Sequence, residues 1–506
     1  MKKKNSLFKN LAFVFAITLL AKMTGFAREM VYGSQLGISR ISDNFVMAQN
    51  IPVTLYAILT QAFRTTYIPN LFKVKREKGN EAGEAYTGNY IIVVSIASVL
   101  MFIFLIVLAK PLILLFAGGF SEEDIAQTVY LTRFISITVL LGGLIDVLNG
   151  YLQSAGHYNI GASLTIFSNS VFCFFLFLYP VLGIKALILG SVLSKAVELF
   201  IVIIASIVNK LKVKFSSWKY FKYTTEAIKN SVPVLFGSII NDLGSLIDKR
   251  FATQLVSGTV SGLNYASKVE LMIIQLFSAT IGAVLFPELS KRSDDLPSFS
   301  NMVEKGLKYI FIVMVPITFG VMVISSNFIS VLFQRGAFDS IAVQLTSESL
   351  IFYSPAILFT VCYEFLSKAC FALHDTKTPV FMSAGGMIVN VIFNALLINK
   401  FHHQGLAFAT SLSMFIAFLG VYIVLRKKLN INKLDIWKTL LKVLVSALIM
   451  AIIIFFERRI GINNKYISFI VYFSSGVIVY YVVLILVRCE DVKELTKLAL
   501  SRFRRK

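Results

Sequence analysis

The sequence has few of the residues that build disulfide frameworks, metal centres or nucleotide sites. Its 506 residues include only four cysteines and four histidines. No C-x-x-C pair occurs and no three such ligands lie close together, so we expect neither a disulfide framework nor a metal site. A G-x-x-x-x-G-K-[ST] phosphate loop is also missing, so we do not expect direct ATP hydrolysis by this chain. No nucleophile and base are arranged for catalysis, and we predict a protein that is not an enzyme.

Charge is scarce too, at 15% of residues, while 57% are hydrophobic and the mean hydropathy is +0.76. One soluble core cannot bury that much apolar surface, which predicts an all-α polytopic membrane protein. The net charge of +22 lies mostly in loops between apolar runs. There the cations set membrane topology, and we expect no nucleic acid partner.

Apolar segments of about 20 residues are long enough to cross a membrane as helices. The sequence contains fourteen candidates, at 8–32, 44–70, 88–116, 125–154, 160–182, 184–208, 227–254, 258–287, 304–333, 342–372, 380–400, 404–426, 438–457 and 466–488. The first follows three lysines as in a signal peptide, but Lys22 interrupts it, so we interpret it as a retained first helix.

Loop charges predict the orientation of these helices. Alternate loops are rich in lysine and arginine, as are both ends of the chain, and positive loops stay in the cytoplasm. Both termini are therefore predicted to be cytoplasmic, in a multi-pass protein of the cell membrane. Arg458, Arg459 and Lys465 depart from this pattern because they fall in the last outer loop. Every outer loop is short, which argues against a membrane glycosyltransferase or ligase with catalytic acids on a large loop.

An internal repeat divides the chain. The stretch LLFAGGFSEED matches VLFQRGAFDS with Phe116 opposite Phe333, 217 positions apart, and YIPNLFK matches LFPELSK at nearly the same offset. We predict two pseudo-symmetric six-helix lobes related by an axis along the membrane normal, with the substrate site between them. The predicted parts are an N-terminal lobe 1–208, a basic cytoplasmic linker 209–226, a C-terminal lobe 227–430, and helices 13 and 14 with a basic tail, 431–506.

Lys22 and Arg28 lie six residues apart inside the first apolar segment. A cation in hydrocarbon costs about 2.5 kcal/mol or more unless it faces water, a partner or a substrate. A water-filled cavity that receives an anionic ligand would explain both residues. Snorkelling, or an ion pair between Arg28 and Glu29, would explain them equally well.

Several motifs resemble the lipid II flippases of the MurJ (MviN) family, which belongs to the multidrug/oligosaccharidyl-lipid/polysaccharide exporter superfamily. They are AKMTGFAREMVYG with the ISDNF that follows, NYASKVE, LFQRGAFD and DTKTP. The resemblance implies a cationic cavity between two six-helix bundles and a lipid groove formed by helices 13 and 14. It also implies transport of an undecaprenyl-pyrophosphate-linked disaccharide-pentapeptide to the outer leaflet, for peptidoglycan synthesis and cell shape. Expected partners are lipid II, membrane lipids and the cell-wall synthesis machinery.

The resemblance also assigns roles to individual residues. The two basic positions of helix 1 correspond to Lys22 and Arg28, which would bind the pyrophosphate through charge-assisted hydrogen bonds, with Glu29 as a charge partner. The acid after helix 1 corresponds to Asp43. It either belongs to an outer gate or caps helix 2, and we favour the cap.

Two departures from the family pattern affect the substrate. Helix 2 reads IPVTLYAI where members carry arginine, and Arg64 is a candidate substitute about two turns later. Helix 8 keeps one cation as Lys268. The acid that members carry beside it is lost, since position 267 is serine, and the acid that they carry three residues on is displaced to Glu270. A flippase for another polyprenyl-linked oligosaccharide, of exopolysaccharide or teichoic type, would share this frame. A multidrug antiporter would too, although its cavity should be acidic.

Transport needs an energy source, and we expect no bound cofactor beyond a sodium ion or the membrane potential. Family members are thought to bind sodium in the second lobe. The corresponding residues here are Asp242, Asn390 and Asn394. The two asparagines lie four apart on one helix face, so they could instead hydrogen-bond between helices.

Remaining charges in apolar segments are expected to form pairs. Lys195 and Glu198 have the spacing of a helical ion pair, and so do Glu364 and Lys368. Asp146 in helix 4 is compatible with a structural or a functional role.

Overall fold

The computed structural model describes the backbone of residues 2–215, 221–429 and 433–492, with side chains except at 2–15, 59, 62, 230–243, 279–284 and 433–434. Regular structure in these ranges is entirely helical. The helices are α1 (Lys2–Leu36), α2 (Arg40–Lys78), α3 (Asn80–Val107), α4 (Ala109–Phe116), α5 (Glu122–Ile135), α6 (Ile137–Ser154), α7 (Tyr158–Phe177), α8 (Tyr179–Leu182), α9 (Ile184–Val208), α10 (Phe221–Ala252), α11 (Thr259–Ser290), α12 (Leu296–Phe333), α13 (Ser340–Ala372), α14 (Lys377–Leu429), α15 (Lys433–Arg458) and α16 (Lys465–Leu486).

The predicted all-α membrane fold is confirmed. Each predicted apolar segment falls on one helix or, for 88–116, 125–154 and 160–182, on two consecutive helices, apart from one or two residues at some ends. Nine helical segments of the described chain are long and apolar enough to cross a membrane. Two predicted segments share α14, which is broken at His402, where φ is 46° and ψ is −128°. The total of fourteen crossings stays a prediction.

The chain forms two compact units. The first is Met1–Ser261 together with Arg335–Phe338, and the second is Gly262–Gln334 together with Asp339–Lys506. In the first unit α10 lies along α2, and α7 lies between α1 and α9. In the second, α13 lies against α12 and α14, and α15 against α12 and α16. The lobe boundaries that the repeat predicts place α10 in the second lobe, and they stay a prediction.

A tyrosine cluster anchors the C-terminal half of α2 to α3. Tyr67, Tyr86 and Tyr90 are fully buried, with ring centroids 4.9 to 5.9 Å apart. The Tyr67 hydroxyl hydrogen-bonds to that of Thr87 at 3.0 Å, and the Tyr90 hydroxyl donates to the Phe63 carbonyl at 2.9 Å. Aromatic rings with centroids about 4.5 to 7 Å apart attract one another beyond the burial of their surface. This cluster therefore fixes the turn of α2 that carries Arg64.

The cations that break the charge pattern have local partners. The Arg458 guanidinium donates to the Val323 carbonyl at 2.5 Å, and the Lys465 ammonium donates to the Gln334 carbonyl at 2.8 Å, at the end of α12. Arg459 lies over the Phe455 ring at 5.3 Å. Because carbonyls at a helix C-terminus carry partial negative charge, Lys465 stabilises this end of α12. These contacts explain the departure from the topology rule.

Candidate functional site

The two cations of α1 have different surroundings. The Arg28 guanidinium pairs with the Glu29 carboxylate at 2.6 Å and lies over the Phe172 ring at 5.6 Å. The Glu29 side chain is 9% exposed, so this carboxylate needs a positive partner. Lys22 is exposed on the same helix. The ion-pair alternative therefore holds for Arg28, whereas the Lys22 side chain is exposed.

Asp43 caps a helix, but not its own. Its two carboxylate oxygens accept hydrogen bonds from the Gly258 N–H at 2.6 Å and the Ser261 N–H at 2.7 Å, at the start of α11. The favoured prediction that Asp43 caps helix 2 is therefore wrong. Ser39 is the cap of α2, since its hydroxyl accepts from the Ser42 N–H at 3.2 Å. A carboxylate at a helix N-terminus satisfies free N–H groups and balances the helix dipole.

Four loops meet around Asp43, at 33–39, 117–121, 253–261 and 335–338, and we call this contact the loop junction. The Ala337 N–H donates to the Ser34 carbonyl at 2.8 Å, and the Gly119 N–H donates to the Thr253 hydroxyl at 3.3 Å. The repeat matches the loops 117–121 and 335–338. Each of them donates a backbone N–H to a residue at the C-terminal end of a long helix, α10 for the first loop and α1 for the second. The distinctive LFQRGAFD motif supplies one of these loops.

A second set of polar contacts ties α2 to α5 beside the junction. The Asp124 carboxylate accepts from Arg40 at 2.5 Å, from Asn44 at 3.1 Å and from the Ser121 hydroxyl at 2.5 Å. Together with Asp43 these residues line a cavity of about 290 Å³. This cluster was not predicted from the sequence because Arg40 and Asp124 begin separate helices and lie 84 positions apart.

The glycine of the LFQRGAFD motif is required by its backbone. Gly336 has φ of +57°, and a Cβ atom there would lie 2.2 Å from the Ser34 carbonyl oxygen. We expect Gly336→Ala to lower the free energy of unfolding by about 2 kcal/mol, from left-handed strain and the displaced loop. Thermal unfolding in detergent would measure it. Gly385→Ala is the matched control, since no atom lies within 4 Å of its Cβ position and α14 is helical there. Equal melting temperatures for the two variants would contradict this prediction.

Arg64 lies on the wall of a cavity within the first unit. Its guanidinium pairs with the Asp146 carboxylate of α6 at 3.0 Å, and the Tyr56 hydroxyl donates to the same carboxylate at 3.4 Å. The cavity measures about 300 Å³ and is also lined by Thr60 and Asn149. A second cavity of about 300 Å³ adjoins it and shares Arg64, Asp146, Thr60 and Asn149. The structure thus gives Asp146, whose role the sequence left open, a direct partner in a predicted site residue.

One predicted helical ion pair is present and the other is not. The Lys195 ammonium lies 2.6 Å from the Glu198 carboxylate, on the wall of the same cavity. The predicted bridge between Glu364 and Lys368 is wrong. The Lys368 ammonium instead donates to the Ser278 carbonyl of α11 at 3.4 Å. Spacing of four permits a pair, but a nearby carbonyl competes for the flexible lysine.

The predicted residues of the second unit lie on α11 and α14. Lys268 is half-buried and Glu270 is buried, two positions apart on α11. The Asn394 amide donates to the Asn390 side-chain oxygen at 2.8 Å, and the Asn390 amide donates to the Thr410 hydroxyl at 3.3 Å. The Asn390–Thr410 bond joins the two arms of α14, as the hydrogen-bonding alternative predicts for Asn390, whereas the Asn394–Asn390 bond lies within one arm. The side chain of Asp242 lies outside the described residues, and those described contain no group of three His, Cys, Asp or Glu that could hold a metal ion.

The DTKTP motif has a structural role. The Asp375 carboxylate accepts from the Thr378 N–H at 3.0 Å and from its hydroxyl at 2.8 Å, which caps the start of α14. The Lys428 ammonium from the far end of α14 pairs with the same carboxylate. This pairing and the cap lower the pKa of Asp375 to about 2. The motif therefore joins both ends of α14.

The sequence matches the family described as "Lipid II flippase MurJ" over residues 33–476. The chain belongs to this family. A lipid II flippase MurJ of Burkholderia cenocepacia is 25% identical over 84% of both chains. A probable lipid II flippase MurJ of Borreliella burgdorferi is 24% identical over 96% of both. The family predicted from the motifs is thereby confirmed, and the chain is a multi-pass membrane protein.

Solved structures show the same fold. The chain resembles "Lipid II flippase MurJ, inward closed conformation" with a TM-score of 0.80 and 22% identity, over 93% of this chain and 97% of that one. A multidrug resistance MATE family transporter of the MOP superfamily in an inward-facing conformation gives 0.69 and 12% identity, over 83% and 98%. At these identities the likeness concerns the fold alone. The sequence match to the MurJ family, rather than the fold, distinguishes this chain from the MATE transporters.

Proposed function

We propose that this protein is a transporter that moves lipid II, the undecaprenyl-pyrophosphate-linked peptidoglycan precursor, from the inner to the outer leaflet. The observation that carries this proposal is the family match over residues 33–476, which includes all of the quoted motifs except AKMTGFAREMVY of the first, residues 21–32. The other polyprenyl-linked oligosaccharides and multidrug antiport are not favoured, since the curated relatives are lipid II flippases. The basic residues of α1 also argue against a cavity for cationic drugs.

The proposed contacts to the anionic head group are Lys22, Arg28, Lys268 and Arg64. Arginine and lysine replace the hydration that phosphate oxygens lose on entering the membrane. Glu29 and Glu270 are the proposed charge partners, which hold the cations in place while the substrate is absent. Glu29 already pairs with Arg28 at 2.6 Å, which supports that role.

The loop junction is the proposed outer gate, closed in this structure. Asp43 supports this role because it joins the first turn of α2 to the N-terminus of α11 through two hydrogen bonds. Alternating access would then require these bonds to break. The orientation that places the junction outside, with both termini in the cytoplasm, is tested by reporter fusions at the C-terminus. Phosphatase activity rather than cytoplasmic fluorescence from such fusions would reject it.

Energy coupling is proposed to use the membrane potential or a sodium gradient, with no other cofactor. Asp242, Asn390 and Asn394 are the candidate sodium ligands. The candidate lipid groove is formed by the last two predicted segments, 438–457 and 466–488, which correspond to α15 and α16. Flipping in proteoliposomes with either gradient removed would distinguish the two sources, and flipping that needs neither would reject both. Membrane lipids and the cell-wall synthesis machinery are further proposed partners, and co-purification of synthesis enzymes in mild detergent would test the latter.

Complementation tests the proposed function. We expect the unaltered chain to restore growth and cell shape to a strain depleted of its lipid II flippase. Lipid II on the outer leaflet, measured by its accessibility to an added hydrolase, should return with growth. A well-expressed chain that restores neither would favour another polyprenyl-linked saccharide, and accumulation of a different lipid-linked oligosaccharide in a deletion strain would identify it.

A further inference from the structure

The cavity beside Arg64 presents its cations to an incoming ligand and keeps its acids behind them. The Arg64 side chain is 61% exposed, whereas that of its partner Asp146 is 18% exposed. The second pair has the same arrangement, with Lys195 at 41% and Glu198 at 9%. Because both carboxylates are the buried members, a ligand meets the guanidinium and ammonium first. The wall therefore favours an anionic group.

A separate feature of this cavity calls for a hydrogen-bond donor. Asn149 lines the cavity and is 9% exposed, and its side-chain oxygen has no donor among the described residues. Gly161 makes room for this amide, since a Cβ atom there would lie 2.6 Å from the Asn149 oxygen. A buried acceptor without a donor is costly, and an N–H or O–H group of a ligand would satisfy it.

These two features discriminate among the parts of a lipid-linked head group. A pyrophosphate has negative charge but offers only acceptors. A sugar offers hydroxyl donors but no charge, so the pyrophosphate and its sugar would have to enter the cavity together to meet both requirements. A peptide end has both, in its carboxylate and its amide N–H groups. The cavity, at about 300 Å³, lies at the small end of the range for ligand sites and suits a short peptide end rather than a whole head group.

We infer that this cavity is a subsite for the carboxylate-bearing end of the peptide on the transported lipid. Arg64 and Lys195 would bind the carboxylate, and Asn149 would accept from a peptide N–H. The inference rests on the proposed function, which supplies a substrate that carries such a peptide. It gives Arg64 a role separate from that of the α1 cations, which would contact the pyrophosphate.

The test compares two lipids on the full chain in lipid nanodiscs. One is lipid II, and the other is the same undecaprenyl-pyrophosphate disaccharide without its peptide. We expect Arg64→Gln to weaken lipid II binding about tenfold, the effect of losing one charge-assisted hydrogen bond, and to change binding of the peptide-free lipid by less than twofold. Arg133→Gln is the matched control, because Arg133 is an exposed arginine of the same unit that lies outside the cavity. It should alter neither affinity.

Further variants control for misfolding. Arg64→Gln leaves Asp146 without its partner, so the double variant Arg64→Gln with Asp146→Asn removes both charges and should show the same selective loss. Asn149→Leu should weaken lipid II binding about threefold and leave the peptide-free lipid unaffected. Equal weakening for both lipids, or none for either, would overturn the subsite. If the unaltered chain binds neither lipid, the proposed function fails instead.

Discussion

Replacing Asp43 by alanine is expected to open the loop junction and to abolish complementation of a flippase-depleted strain. The Asp43 carboxylate holds the Gly258 and Ser261 N–H groups at 2.6 and 2.7 Å, and hydrogen bonds to a charged group contribute about 1.5 to 3 kcal/mol each. Hydrogen bonds to water replace part of this free energy once the junction opens. A net loss of about 3 kcal/mol would shift the equilibrium about a hundredfold toward the open junction.

Cysteine labelling measures this shift. Ala252 is 2% exposed and lines the cavity beside Asp43, so a cysteine placed there in a background without the four natural cysteines reports opening. We expect its maleimide labelling to accelerate strongly in Asp43→Ala and by an intermediate factor in Asp43→Asn, whose amide keeps one acceptor oxygen. Asp339→Ala is the control, because Asp339 caps its own helix by accepting from the Ala342 N–H at 2.8 Å. Labelling of Asp43→Ala at the unaltered rate would reject the gate.

Arg28→Ala is expected to abolish flipping while expression and membrane insertion persist. Arg28 would be lost as a contact to the pyrophosphate, and the loss of even two charge-assisted hydrogen bonds to phosphate oxygens would cost roughly 3 to 6 kcal/mol. Flipping should fall by more than a hundredfold, measured as transport of lipid II in proteoliposomes and as failed complementation.

The structure makes a second variant necessary. Because Arg28 pairs with the mostly buried Glu29, removing the arginine also leaves a carboxylate without this partner. Arg28→Ala combined with Glu29→Gln removes that charge and should restore the melting temperature but not transport. Glu29→Gln alone keeps the cation and should retain most of the activity. If the double variant transports lipid II normally, Arg28 serves only to neutralise Glu29.

The repeat in the sequence predicted an equivalence between two loops as well as the positions of helices. It paired the 117–121 and 335–338 loops, and the structure shows each in contact with the end of a long helix. The left-handed backbone of Gly336 within LFQRGAFD was not predicted from the sequence. Its contact with Ser34 could not be predicted, since no rule of spacing links residues about 300 positions apart.

The prediction for Asp43 failed for a similar reason. An acid near a predicted helix start is a common cap, and local rules assign it to the nearest helix. The structure assigns it to α11, more than 200 residues away, because the first loop and the start of α11 meet. Arg64 and Asp146 were each noticed as charges in apolar segments. Only their distance of 3.0 Å shows that they are one pair on a shared cavity wall.

The sequence by itself determined that this is a helical membrane protein of the lipid II flippase MurJ family, because hydropathy, loop charge and motifs are local and need no three-dimensional contact. The tertiary structure decided which charges are partners and which are accessible. It joined Arg64 to Asp146, left Lys22 exposed, and placed Arg64 with Lys195 on one cavity wall. Such pairings depend on how helices distant in the chain pack together, and the energy of a buried charge is set by the groups that this packing brings within hydrogen-bond distance.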